Sequence, residues 1–370
     1  MTETTATIRQ AAEERHALEL TALGYKDTHP RPPGWQLSPK RVEVFLMGSG
    51  EETFPTPEGK KIAIRPKYLG DQRLIQVAIA TLASERALLL VGEPGTAKSW
   101  VSEHLAAAIS GTSRLIIQGT AGTTEDQVKY TWNYALLLAE GPTERAMVPS
   151  PMLRAMRLGQ ITRFEEMTRC ASEVQDTLLS VLSEKEVSIP ELNQVVPAQR
   201  GFNLIATANT RDRGINDMSS ALKRRFNFVT LPVVDSIEQE MSIVETRTRE
   251  LMADYQVLAE VPPDLLKLLV TVFREMRAGL TLDGQTKVKT PSTVMSTAEA
   301  ISVLLNGGLL AQHFGSGQVG PEEVARSLMG AVAKEDARDV TCLEEYLENV
   351  ARPRKGRAWQ AFYRAGKDLL

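Results

Sequence analysis

The run Gly92-Glu93-Pro94-Gly95-Thr96-Ala97-Lys98-Ser99 is where residue types and spacing most clearly promise chemistry. Small residues ahead of a lysine and a hydroxyl let backbone N–H groups curl around phosphate oxygens. Before it stands RALLLV (86–91), a continuous apolar run of the kind a buried parallel strand shows. After it, the residues from Lys98-Ser99-Trp100 onward read as a helix whose positive end faces the same anion. In that setting Lys98 can reach the β- and γ-phosphates of a nucleotide as a point charge, and Ser99 can ligate Mg2+. The usual G-x-x-x-x-G-K-[ST] pattern has glycine where this chain has Ala97, whose methyl group is compatible with a helix start. A Gly/Pro turn followed by a surface lysine is the plain alternative, and the flanking strand and helix speak against it.

Further constellations follow. ITRFEEMTRC (161–170) places Glu165 and Glu166 at the end of a run that Thr162 and Arg163 make unusually polar for a central strand. Its plain alternative is a solvated acidic helix start. FNLIATANT (202–210) is an apolar run ending in Asn209, whose amide can hydrogen-bond both a γ-phosphate and an attacking water. An asparagine at a strand end also arises for local turn reasons. SSALKRRF (219–226) ends in Arg224 and Arg225. A planar bidentate donor suits charge building on a phosphoryl group, and an exposed basic helix end that favours the helix dipole is the plain reading. Within residues 119–159, Tyr130, Trp132 and Tyr134 precede an apolar stretch at 135–139. Aromatics so placed can grip a peptide or stack on bases, or pack into the sheet; both readings stay open.

In this order the motifs resemble those of AAA+ ATPases, particularly the MoxR group and its neighbours with a helix-2 insert, over about residues 68–233. The resemblance implies that Gly92, Glu93, Pro94, Gly95, Thr96, Ala97, Lys98, Ser99 and Trp100 form the Walker A segment that binds ATP. It puts Glu165 at the Walker B position, where the family has aspartate, so that Glu165 and Ser99 attend Mg2+; the longer side chain must fold back to reach the metal shell. Glu166 then polarises the attacking water, Asn209 is sensor 1, and Arg225, with Arg224 as runner-up, is an arginine finger serving the neighbouring subunit. A site completed by a neighbour implies a homo-oligomeric ring, most often a hexamer. Residues 186–189 and 194–197 match the pre-sensor hairpin, which, like the 119–159 insert, faces a central pore in the family. The sensor-2 arginine expected near Thr290-Pro291-Ser292-Thr293 is missing, with Lys287 and Lys289 the nearest cations. The implied activity is ATP hydrolysis to ADP and phosphate, used to remodel or chaperone a protein client, with a von Willebrand factor A domain suggested for the partner. The rivals are a nucleotide-gated scaffold with weak hydrolysis and a nucleic-acid-directed AAA+ motor.

The elements that must position these residues alternate in type. Apolar runs at 86–91, 114–117, 202–206 and, more weakly, 228–231 alternate with helical patterns, which argues for a parallel α/β sheet covered on both faces. The expected fold is a P-loop NTPase parallel sheet, the AAA+ core, followed by an all-α lid domain. The expected domains are an N-terminal extension (1–66), the nucleotide-binding α/β domain (67–235), the helical lid (236–345) and a basic, aromatic C-terminal segment (346–370). Helices are expected at 2–20, from Ser38-Pro39, at 72–83, 171–182, 237–252, 262–277, 291–305 and 321–333.

Composition sets the outer bounds. The 370 residues carry 43 basic and 46 acidic side chains, a formal charge of −3, which argues against nucleic acid as a partner, although the segment 352–367 is locally basic. Two distant cysteines and four scattered histidines argue against a disulfide framework and a protein-built zinc site and suit the cytoplasm. No apolar stretch is long enough for a membrane span.

Overall fold

The computed structural model describes residues 8–84, 86–210, 218–292, 294–332 and 337–370. The chain divides into two compact units, one of Met1–Glu93 with Ala97–Pro232 and one of Pro94–Thr96 with Val233–Leu370.

The first unit is built on a five-stranded parallel sheet. Its strands are β3 (Ala87–Gly92), β4 (Ile116–Gln118), β7 (Ile161–Glu165), β10 (Asn203–Asn209) and β11 (Phe226–Thr230), in the order β11-β3-β10-β7-β4. Three antiparallel hairpins accompany it: β1 (Thr53–Pro55) with β2 (Lys61–Ala63), β5 (Tyr130–Trp132) with β6 (Met147–Pro149), and β8 (Glu186–Ile189) with β9 (Gln194–Pro197). Alternation along β3 explains its unbroken apolar run. Leu88 and Leu90 face a core shared with Val101, Leu105 and Ile109 of the helix Lys98–Ser110. Leu89 and Val91 face a second core with Phe164, Leu153 and Leu182. Both faces are covered, so both must be apolar.

Residues 8–66 are part of the first of these cores. Ala22, Leu23, Trp35, Phe45, Leu46, Phe54 and Ile64 are buried there against the helix Gln72–Leu82 and the sheet. The helix Pro39–Met47 starts as expected: Ser38 accepts from the Arg41 N–H, and proline takes the first turn. The helix expected over 2–20 is instead Ala12–Arg15 and Ala17–Gly24, separated at His16, whose backbone leaves the helical region; residues 2–7 lie outside the described ones.

The second unit is helical, with Ile237–Asp254, Pro263–Ala278, Thr297–Phe314, Pro321–Val332, Ala337–Tyr346 and Arg357–Leu369. The helix expected from Pro291 begins six residues later. Ser296 and Glu299 form a reciprocal capping box, which satisfies N–H groups that a start at Pro291 would leave open. Thr293, within the expected sensor-2 stretch, lies outside the described residues, as does Ala333 at the end of the expected helix 321–333. The C-terminal helix contributes Phe362 to the core with Tyr346, Leu347 and Phe273.

Candidate functional site

Parallel pairing brings the motif residues of the first unit to one edge. Asn209 stands opposite Gly92, and the Thr210 N–H donates to the Gly92 carbonyl at 3.1 Å. Phe164 pairs with Ala206 and Gln118 with Glu165, so the ends of β3, β10, β7 and β4 converge there. Ligands of open α/β sheets bind beyond such carboxyl ends.

Lys98, nearly buried, folds back to donate to the Gly92 and Glu93 carbonyls at 2.9 and 2.7 Å. Ala97 caps the following helix at φ +64°, a left-handed conformation that costs a non-glycine residue about 1–2 kcal/mol. Glycine's usual place in the motif thus has a backbone reason. The Trp100 side chain faces away from the loop: its indole N–H donates to the Lys67 carbonyl at 2.7 Å and its ring lies 4.1 Å from that of His104. Any contribution of Trp100 to an anion therefore falls to its backbone.

Glu165 is buried, not solvated. Its Oε2 accepts from the hydroxyls of Ser99 at 2.6 Å and Thr207 at 2.8 Å, and its Oε1 from Ser102 at 2.5 Å and the Arg163 guanidinium at 2.8 Å. The polar strand residue Arg163 thereby acquires a reason. Glu166 follows at φ +52°, its N–H donating to Thr207 at 2.9 Å and its carboxylate paired with Arg169 at 2.9 Å. A side chain on Gly119 would meet the Glu166 carbonyl oxygen at 2.4 Å, so only glycine lets β4 end this close to the acidic pair.

Arg224 and Arg225 are not brought to this edge. Phe226 pairs with Ala87, the first residue of β3, and the Arg225 carbonyl accepts from the Ala87 N–H at 3.1 Å. The two arginines therefore stand at the opposite end of the sheet from Gly92. Arg225 donates to Ser183 Oγ at 2.9 Å and to the Ala221 carbonyl at 2.8 Å, while Arg224 is exposed. In the helical unit, Lys289 pairs with Glu345 at 2.5 Å. The arginine beside the start of the helix Thr297–Phe314 is Arg277, which donates to the Met295 carbonyl at 2.7 Å and to buried Glu240 at 2.8 Å.

The insert aromatics divide between the two open readings. Tyr130 and Trp132 pack partly buried on the sheet core, whereas Tyr134 is exposed on the helix Tyr134–Glu140. The Tyr130 hydroxyl donates to Glu191 at 2.8 Å, joining the insert to the segment between β8 and β9. Burial and that carboxylate push the Tyr130 hydroxyl up to about 12.

Residue types and spacing point to Lys98, Ser99, Glu165, Glu166 and Asn209 but not to Ser102, Thr207 and Gly119, and Arg163 stands out in the sequence only as an anomaly. A signal existed for two of them. Arg163 and Glu165 are two apart on a strand and so share a face, and Ser102 lies one helical turn beyond Ser99. Thr207 and Gly119 matter only through contacts distant in sequence.

A doubly covered parallel sheet with a phosphate loop at its carboxyl edge and a buried acidic residue against the loop's serine defines a P-loop nucleotide-binding class. Residues 87–226 match the AAA domain family, dynein-related subfamily, and residues 238–369 match the C-terminal domain of YehL-like AAA+ ATPases. The chain is 42% identical to YehL of Escherichia coli (strain K12) over 360 residues, covering 96% of each. It belongs to the AAA+ ATPase family, among the YehL-like proteins. It is also 26% identical to the protein SH1500 of Staphylococcus haemolyticus over 174 residues, covering 46% of this chain and 65% of that one. Among solved structures it shares its fold with NtrX from Brucella abortus in complex with ATP, at a TM-score of 0.50 and 16% identity, covering 82% of this chain and 69% of that one.

Proposed function

We propose that this chain binds Mg-ATP and hydrolyses it to ADP and phosphate as a ring-forming ATPase of the MoxR type, using the cycle to remodel a protein client in the cytoplasm. The observation that carries the reading is the bond from Ser99 to buried Glu165 beside a lysine folded over its own phosphate loop. The donor set suits Mg2+, which takes one or two protein ligands and completes its shell with phosphate and water. The Ser99 hydroxyl donates a hydrogen bond to Glu165, which would leave its lone pairs for the metal. When bound, Mg2+ would offset charge on the phosphates. The chain's own residues do the rest. Lys98 exchanges its carbonyl partners for phosphate oxygens. Glu166 leaves Arg169 to polarise the attacking water. Asn209 orients that water against the γ-phosphate. Arg225, far from its own loop, serves a neighbouring subunit, which makes the ring, a hexamer in this reading, necessary for turnover. By family resemblance the client partner carries a von Willebrand factor A domain.

Glu166→Gln tests the reading directly. ATP binding should persist while turnover falls by about 10²–10⁴, because an amide cannot take the proton; unchanged steady-state turnover would refute the assignment. The four hydrogen bonds that already occupy Glu165 favour a second reading, a nucleotide-gated scaffold with slow hydrolysis. Turnover measured over a range of protein concentrations separates the two: it rises with assembly in the first and stays low in the second.

A further inference from the structure

Arg163 puts a guanidinium inside the parallel sheet, two residues before the acidic pair. Its side chain and that of Glu165 are only 6% and 4% exposed. Every arm of the fork is engaged: Nε with Ser102 Oγ at 3.0 Å, Nη1 with the Ser113 carbonyl at 3.2 Å, and Nη2 with the Ser99 carbonyl at 3.1 Å as well as with Glu165. Burying two ions costs about as much desolvation as their attraction returns, and an apolar pair of similar volume is often as stable. Structure alone is therefore a weak reason for this pair in a strand that is otherwise covered on both faces.

We propose that Arg163 is a positioning residue for the metal: it cancels the charge of Glu165 and holds the carboxylate so that it acts on Mg2+ only through the Ser99 hydroxyl. The inference deepens the ATP-binding reading and rests on it. A carboxylate has about four lone-pair sites, and those of Glu165 are filled by Ser99, Thr207, Ser102 and Arg163. None is left for the water shell of a metal. A carboxylate beside a divalent cation ordinarily contributes a full negative charge, whereas this one is offset within hydrogen-bonding distance. Mg2+ should therefore strengthen nucleotide binding less here than at a site with an uncompensated carboxylate, and the balance should follow the net charge of the pair.

The test is calorimetric ATP binding in EDTA and in excess Mg2+, read as the ratio of the two dissociation constants. Arg163→Gln keeps hydrogen-bonding capacity but leaves the pair negative, so the ratio should rise in favour of Mg2+ by about tenfold, as expected for one charge acting on a divalent cation at short range. Glu165→Gln leaves the pair positive, and the ratio should fall by a similar factor. Arg163→Lys and the double variant Arg163→Gln, Glu165→Gln restore neutrality and should return to the wild-type ratio. A merely structural Arg163 would weaken binding equally with and without Mg2+, giving one ratio throughout and overturning the proposal. If Arg163→Gln does not fold, the fall in Glu165→Gln and its reversal in the double variant carry the same decision. Wild-type protein that binds no ATP in either buffer would instead overturn the nucleotide reading itself.

Discussion

At the scale of single residues, the site is tuned by hydrogen bonds that the free chain already makes. Lys98 donates to the carbonyls of Gly92 and Glu93 in its own loop, and its charge serves the phosphates and not the core. Lys98→Ala should therefore abolish ATP binding in calorimetry while leaving the thermal unfolding midpoint within a few degrees of wild type. Glu165 presents a sharper case. An aspartate there would restore the family's residue, yet its oxygens would be a methylene short of Ser102 and Arg163, which now lie at 2.5 and 2.8 Å. Glu165→Asp should lower both turnover and stability, because a buried guanidinium loses its counterion. Truncating one partner of a buried pair costs roughly 3–5 kcal/mol, and a shortened side chain should cost part of that. Higher turnover in the aspartate variant would show that the site is not built around the longer side chain.

At the scale of elements, residues 8–66 act as a clasp on the first unit. Glu13 accepts from the Ser113 N–H at 3.0 Å and from its hydroxyl at 2.7 Å. Glu19 meets His16 and the Lys67 ammonium, beside the ring of Phe45. Burial alone would raise the Glu19 carboxyl, but the bonds from His16 and Lys67 outweigh it and hold the group at about 2, below its ordinary 4.5. A carboxyl whose folded value is depressed stabilises the fold above its unfolded value, and that contribution is lost as pH falls through the folded one. The clasp should therefore weaken between about pH 4.5 and pH 2. Glu19→Gln should cost roughly 1–2 kcal/mol at neutral pH, less than the full shift because solvent screens a partly exposed pair, and flatten the stability profile across that window. Denaturant titrations at a series of pH values measure both effects, and an unchanged profile would remove Glu19 from the account.

At the scale of the whole molecule, the sheet separates two groups that the proposed chemistry uses. Asn209 pairs with Gly92 at one end of β3, while Arg225 bonds Ala87 at the other. In the proposed mechanism the finger therefore comes from a neighbouring chain, and assembly is part of turnover. Mixing Arg225→Ala subunits with Lys98→Ala subunits should regain activity that neither has alone, since some interfaces would join an intact loop to an intact finger. Losing a finger costs about 10³–10⁵ in rate, so a small rescue stands clear of the background. Arg224→Ala, tested alongside, decides between the neighbours, because Arg225 is tied to Ser183 and Arg224 is exposed. Full activity of both single variants would remove the reason for a ring.

Local chemistry was legible in the sequence wherever the signal was local. The phosphate loop, the doubly apolar strand before it, the order of the strands along the chain and the helical second half all follow from periodicity and from turn residues that act within a few positions. Asn209 could be picked out because it ends an apolar run, and Glu165 because it stands in the Walker B place in the order of the motifs. Arg163 shares a strand face with Glu165 and Ser102 follows Ser99 by one helical turn, but that these groups meet Glu165 together with Thr207 depends on β7 lying between β4 and β10. The same holds for Gly119, whose missing side chain is explained by a carbonyl 47 residues later, and for Pro291, outcompeted as a helix start by a capping box five residues on. Residue type and spacing determined which chemistry this chain can attempt. Strand order and burial decided which groups stand close enough to perform it, since hydrogen bonds and desolvation act over a few ångströms whatever the distance along the chain.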